Sequence, residues 1–207
     1  MPIQSPFDSR RKTEMETTKI IRKTNETDIV AELKLNGEGK SSIQTGIGFF
    51  DHMLTLFAFH SGMDLNLCCK GDLEVDMHHS IEDIGITLGQ AMNEALKERI
   101  GIQRYGNAFL PMDEAMAQVT LDLCRRSYLV YHCELPVERV GGFECEMLEE
   151  FLRAFAFNTQ MTLHVNLLYG KNAHHMIEAI FKGLGQALKQ AIQPTKDQRL
   201  MSTKGQL

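Results

Sequence analysis

The stretch His78-His79-Ser80-Ile81-Glu82 returns later in the chain as His174-His175-Met176-Ile177-Glu178. Each copy is followed six residues on by the same four letters, Leu88-Gly89-Gln90-Ala91 and Leu184-Gly185-Gln186-Ala187. Both copies open an apolar segment with helical spacing; in the first, Ile81, Ile84, Leu88, Ala91, Met92 and Leu96 form one buried stripe. A register shared over this length marks an internal duplication. What was duplicated is a set of metal-ligand residue types.

The repeat extends backwards. Phe57-Ala58-Phe59 matches Phe155-Ala156-Phe157, and a two-residue difference in the intervening turn places His52 opposite Glu150. Read in order, the first half gives strands at 19–22, 28–35 and 42–45, a helix from Phe49 to His60 stopped by Gly62, a strand at 65–69, and a helix from His78 to about Arg99. The second half gives strands at 106–112, 114–124 and 127–133, a helix at 145–158, a strand at 161–168 and a helix that ends near Ile192. Three strands, helix, strand, helix in each half predicts an α+β fold. Each half is expected to be a mainly antiparallel sheet with two helices packed on one face. The expected organisation is a mobile N-terminal arm at 1–17 and a single unit at 18–207, made of repeats at about 18–101 and 102–193 and a tail at 194–207.

Composition excludes several classes of function. The 207 residues carry a net charge of −5, which gives no electrostatic case for nucleic acid or an anionic membrane. No apolar run reaches the length of a membrane span. Residues 1–17 have no apolar signal core. Five cysteines, an odd number with no Cys-x-x-Cys, fit free thiols in a reducing cytoplasm.

The His-His-x-x-Glu spacing has a geometric meaning. On a helix, residues i and i+4 share a face, whereas i+1 points about 100° away. One ion is therefore expected to take His78, Glu82, His174 and Glu178. A second is expected to take His79 and His175, with His52 and Glu150 as the extra duplicated pair. Nitrogen with carboxylate oxygen suits Mn, Fe, Zn, Co or Ni better than Mg or Ca. Four protein ligands leave an octahedral ion two open positions, which favours catalysis over a closed structural site. The ligands need not all come from one chain. From residue types alone, a dinuclear metal phosphoesterase and a non-enzymatic metal-binding shell both stay open. Glu149 and Glu150 can also be read as acids at the positive end of a helix dipole.

Thr45-Gly46-Ile47-Gly48-Phe49-Phe50-Asp51-His52-Met53-Leu54, the two His-His-x-x-Glu motifs, Arg104-Tyr105-Gly106, Pro111-Met112-Asp113-Glu114 and Ser202-Thr203-Lys204-Gly205 closely resemble the imidazoleglycerol-phosphate dehydratase family. The resemblance runs from about Thr18 to the end. It implies a hydro-lyase that converts imidazole glycerol phosphate to imidazole acetol phosphate in histidine biosynthesis, through a di-metal-stabilised imidazolate. It also implies two Mn2+ ions per active site and a homo-oligomer of 24 subunits with metals at the subunit boundaries. The family's metal ligands fall on His52, His78, His79, Glu82, His174, His175 and Glu178. Its remaining ligand, often a histidine, is Glu150 here. The family's substrate contacts fall on Glu26, Arg104, Arg126, Lys182, Ser202 and Lys204, the last two in the tail. Arg125 stands beside Arg126 where a small residue is usual, which blurs which of the two reaches the ligand. Besides the carboxylates Glu82 and Glu178, Glu26 and Asp113 are the candidates for acid and base.

Overall fold

The structure, a computed structural model, describes residues 17–196 and 199–205. The expected mobile arm lies outside the described residues apart from Thr17, as do residues 197, 198, 206 and 207 of the tail. The first half contains β1 (Thr18–Lys23), β2 (Thr27–Lys34), β3 (Ser41–Gln44), α1 (Gly48–Ser61), β4 (Asp64–Gly71) and α2 (His78–Leu96). The second contains β5 (Tyr105–Met112), β6 (Ala115–Asp122), β7 (Tyr128–His132), the short pair β8 (Arg139–Val140) and β9 (Phe143–Glu144), α3 (Met147–Thr159), β10 (Thr162–Tyr169) and α4 (Ala173–Ala191).

Period-two burial makes the sheets. Strand β2 turns Ile29, Ala31 and Leu33 inward, and β6 turns Ala115, Ala117, Val119 and Leu121 inward. The sheet orders are β1-β2-β4-β3 and β5-β6-β10-β7, the same order twice. All pairings in them are antiparallel except β3 with β4 and β7 with β10, where α1 and α3 form the crossovers. The fold is α+β and duplicated. Among the described residues, no helix is long and apolar enough to cross a membrane.

The halves meet through their helices. Helix α2 lies on β1 and β2, and α4 lies on β5 and β6; α3 packs on α2, and α1 packs on α4. The repeated Leu-Gly-Gln-Ala marks these crossings. A Cβ at Gly89 would stand 2.8 Å from the Phe155 carbonyl, and one at Gly185 would stand 2.9 Å from the Phe57 carbonyl. Glycine is what lets the backbones approach this closely. Between them the Phe57 and Phe155 rings meet edge to face at 5.9 Å. Phe151 stacks on Phe181 at 5.5 Å. One buried apolar cluster takes residues from both halves, from Ile29 to Ile192.

Among the helix ends, two differ from expectation by two residues or more. Helix α2 ends at Leu96, before Arg99, because Lys97 (φ 49°) and Arg99 (φ 57°) leave the helical region. The reason is Arg99, which is buried and donates to the carbonyls of Gln160 and Thr159 and to Asn93 Oδ1. Helix α3 starts at Met147, because Gly141-Gly142 is the tip of the β8–β9 hairpin and residues up to Glu144 are extended.

Candidate active site

Both His-His helices begin with the same local device. Asn172 Oδ1 accepts the backbone N–H groups of His174 (2.9 Å) and His175 (3.4 Å). Asp76, at the equivalent repeat position, accepts from the N–H of His78 at 2.7 Å. A short polar side chain thus satisfies donors that the first helical turn leaves open and fixes where the imidazoles start. Near the start of α1, Asp51 Oδ1 accepts from the backbone N–H (2.9 Å) and the hydroxyl (2.5 Å) of Thr45, which anchors the turn beside His52.

The fold draws His52, His174 and Glu178 together, with one ligand atom from each lying within 4.8 Å of the others. Donors on opposite sides of one ion, at bonds of about 2.1 Å, sit about 4.2 Å apart, so these three groups stand close to the spacing at which one divalent cation could be held. Glu178 is buried; its Oε1 receives Lys182 Nζ at 2.6 Å and its Oε2 lies 3.0 Å from His174 Nε2. Burial raises the Glu178 carboxyl, but the Lys182 ammonium and His174 outweigh it and hold the group below its usual range. The Phe49 ring meets His174 edge-on at 5.1 Å.

The duplicate of this set is His78, Glu82 and Glu150, and it rests differently. His78 Nε2 and Glu82 Oε2 are 3.9 Å apart. Glu150 is turned to Arg153, whose Nη1 lies 2.9 and 3.1 Å from its two oxygens, while Nη2 holds Glu149 at 2.6 Å. Among the described residues, no third ligating group joins His78 and Glu82 within the span seen at Glu178.

Within one chain the side chains group differently from the expected sets. Within one chain His52 belongs with His174 and Glu178, not with His79 and His175, because α1 packs on α4 and delivers His52 to that helix. The two His-x-x-x-Glu pairs start separate helices, which pack mainly on α3 and on α1, and among the described residues of one chain they form no common cluster. The i+1 histidines point elsewhere, as helical geometry requires. His79 Nδ1 is 3.0 Å from Asp72 Oδ2, and its Nε2 is 3.7 Å from Glu26. His175 Nδ1 is 2.7 Å from Glu114 Oε2, and its Nε2 is 3.7 Å from Asp113. The Asp72 hydrogen bond raises His79, and the Glu114 hydrogen bond raises His175. Glu114 in turn is held down to about 2, first by His175 and then by backbone N–H groups.

A separate cavity of about 670 Å3 is lined by Arg104, Arg126, Ser202 and Lys204, with Tyr105 and Arg199. Arg104 is buried and forked onto Asp122, Nε to Oδ1 at 2.6 Å and Nη2 to Oδ2 at 2.9 Å. Its Nη1 donates to the Met201 carbonyl, which ties the tail to the cavity, and its guanidinium lies 4.8 Å from the Tyr105 ring centre. Arg125 turns away, to the Lys97 carbonyl (2.8 Å) and Glu98 (3.3 Å), so Arg126 is the arginine of the pair that faces the cavity. Lys182 and Glu26 do not line it: Lys182 is tied to Glu178, and Glu26 stands by His79. Asp122, Glu114 and Asp72 are parts that sequence reasoning misses. Strand pairing carries the signal for the first, since Asp122 stands opposite Tyr105 in the β5–β6 ladder.

Residues 45–188 match the family described as imidazoleglycerol-phosphate dehydratase. A protein of that name from Oceanobacillus iheyensis is 55% identical over 194 residues, covering 93% of this chain and all (100%) of that one. Another from Clostridium novyi is 57% identical over 185 residues, covering 89% and 94%. The crystal structure of imidazoleglycerol-phosphate dehydratase from Staphylococcus aureus superposes with a TM-score of 0.80 at 41% identity, covering 87% of this chain and 100% of that chain.

Proposed function

The chain belongs to the imidazoleglycerol-phosphate dehydratase family, and from that premise we propose that it is a hydro-lyase acting on imidazole glycerol phosphate, yielding imidazole acetol phosphate and water in histidine biosynthesis. The observation that carries the finer reading is the convergence of His52, His174 and Glu178, from two helices, on one cation-sized point.

His52, His174 and Glu178 would hold one divalent ion. His78, Glu82 and Glu150 stand at the equivalent level of α2 and α3 and would hold the other, with His79 and His175 serving ions shared with neighbouring subunits. When bound, the ions supply Lewis acidity that makes the imidazole ring of the substrate easier to deprotonate, and the mixed nitrogen and oxygen donors suit Mn2+. Glu26 and Asp113, each beside an i+1 histidine, would give a proton to the leaving hydroxyl and take the carbon-bound one. Loss of both gives an enol that becomes the ketone. Arg126, Ser202 and Lys204, with the N–H groups that Asp122 and the Met201 carbonyl leave open on Arg104, would offer guanidinium, hydroxyl and ammonium donors to the phosphate and so fix the orientation of the substrate. Within one chain Lys182 is tied to Glu178. Association into a 24-subunit shell belongs to the same proposal. Exposed Ile21, Phe59, Phe109, Phe157 and Tyr169 support a chain that buries more surface in partners.

The test is a product assay with metal analysis. Ketone should form with phosphate retained, and activity should fall when the metal is stripped and return with Mn2+. Release of inorganic phosphate would favour a dinuclear phosphoesterase. Full turnover by thoroughly metal-free protein would sink the two-cation scheme.

A further inference from the structure

Two carboxylates with no part in the scheme so far bond the same ring nitrogen of the two i+1 histidines. Asp72 lies 3.0 and 3.3 Å from His79 Nδ1. Glu114 lies 2.7 Å from His175 Nδ1, and its other oxygen is itself fixed by the backbone N–H groups of Asn172 (2.6 Å) and Lys171 (3.1 Å). An ionised carboxylate only accepts, so the shared proton sits on Nδ1. Nε2 is then the nitrogen left to offer a lone pair.

The two carboxylates are not duplicates of each other. Asp72 follows β4, and its counterpart after β10 is Gly170. A side chain there would meet Met176, whose Cγ is 2.5 Å from the Cβ position. Glu114 precedes β6, and its counterpart before β2 is Glu26, which stands on the Nε2 side of His79 instead. Inheritance from one ancestral half would place equivalent residues on equivalent nitrogens. Here non-equivalent positions deliver a carboxylate to the same atom, so the demand comes from the histidine and not from the surrounding packing.

We infer that Asp72 and Glu114 are positioning residues, each fixing the tautomer and ring direction of its histidine so that Nε2 is presented to a divalent cation. The inference rests on the two-cation reading above. Carboxylate–imidazole–metal arrangements of this kind change metal affinity by about 10–100-fold when the carboxylate is lost.

The experiment is a Mn2+ titration of the metal-stripped, assembled protein, with free ion followed by electron paramagnetic resonance and assembly followed by sedimentation. Wild type should bind two ions per chain. Asp72→Asn and Glu114→Gln replace the acceptor-only carboxylate with a neutral amide that can also donate; each should weaken one class of ion by about 10–100-fold and leave the other class unchanged. Asp72→Glu keeps the carboxylate and should recover most of the loss. Unchanged affinity in the amide variants, or equal weakening of both classes, overturns the inference while the two-cation reading stands. Absence of Mn2+ binding by wild type sinks that reading and the inference with it. Should Asp72→Asn fail to assemble, Glu114→Gln, in a turn, carries the test alone.

Discussion

Two corners of this molecule descend from one ancestor and no longer rest alike. At the first, His52, His174 and Glu178 already converge, and Glu178 is buried against Lys182. At the second, Glu150 replaces an imidazole and is drawn to Arg153, while Glu82 stays half exposed. The repeat shows why. The residue equivalent to Lys182 is Ile86, and the one equivalent to Arg153 is Thr55, which merely bonds the Asp51 carbonyl at 2.8 Å. Duplication has kept the level of the helices, through Gly89 against Phe155 and Gly185 against Phe57. It has not kept the counter-charges, and those decide whether the histidine and carboxylate side chains of a corner stand together or are drawn apart.

The largest expected effect tests whether both corners serve the reaction. Glu178→Gln and Glu82→Gln should each lower kcat/KM by about 10³-fold, the several kcal/mol that a cation contributes to the barrier. Their stabilities should differ. Glu178→Gln removes the charged partner of a largely buried Lys182 and should cost about 1–3 kcal/mol, whereas Glu82→Gln breaks no close ion pair and should be nearly neutral. Thermal unfolding of the two variants checks the split. Equal loss of stability would mean that the corners are more alike than their geometry indicates.

The second effect concerns the crossings that hold the corners at one level. Gly89→Ala would put a Cβ 2.6 Å from Asn158 Cβ, and Gly185→Ala would put one 2.9 Å from the Phe57 carbonyl. Forcing the helices apart costs about 1–3 kcal/mol, more than the roughly 1 kcal/mol that alanine gains in helix propensity. Both variants should melt lower than wild type, Gly89→Ala by more. A variant that melts higher would show that the close approach is not what the glycines serve.

What is legible in the sequence is what repeats. Leu-Gly-Gln-Ala behind each His-His pair reports a helix crossing, so the element order and the duplicated α+β plan follow from residue types. Helical spacing also tells which face a side chain takes, and His79 and His175 do turn away from their neighbours. It does not tell which helix that face meets, and for that reason the partnership of His52 with His174 is hidden. Glu114 is 61 residues from His175 in the chain, and no local pattern joins them. Lys97, Glu98 and Arg99 are good helix formers, so propensity extends α2 too far. The hydrogen bonds of buried Arg99 override it.

A smaller effect would make the second corner resemble the first. Glu150→His gives it the neutral donor that His52 supplies opposite. Replacing an anionic oxygen with a nitrogen should move preference from Mn2+ toward Zn2+, Co2+ or Ni2+, on the order of tenfold in relative affinity. Competitive titration of the assembled protein reads this directly. A preference that does not move would place Glu150 outside the ligand set.

The smallest effect is the most specific to the drawn-apart state. Arg153→Thr gives α3 the residue found at the equivalent place in α1 and releases Glu150 from its ion pair. Arg153 and Glu150 are both partly exposed, with side-chain accessibilities of 46% and 26%, and such pairs contribute about 0.2–1 kcal/mol. A cation that competes with Arg153 for Glu150 should therefore bind up to about fivefold more tightly in the variant. Raising the salt concentration should narrow the gap, because screening weakens the Arg153 pair in the wild type first. Glu149 loses the same partner, so a control with Glu149→Gln separates a general change in local charge from release of Glu150. If Arg153→Thr binds Mn2+ no better than wild type, or worse, the arginine is not holding Glu150 back, and the inequality of the two corners lies in the donors alone.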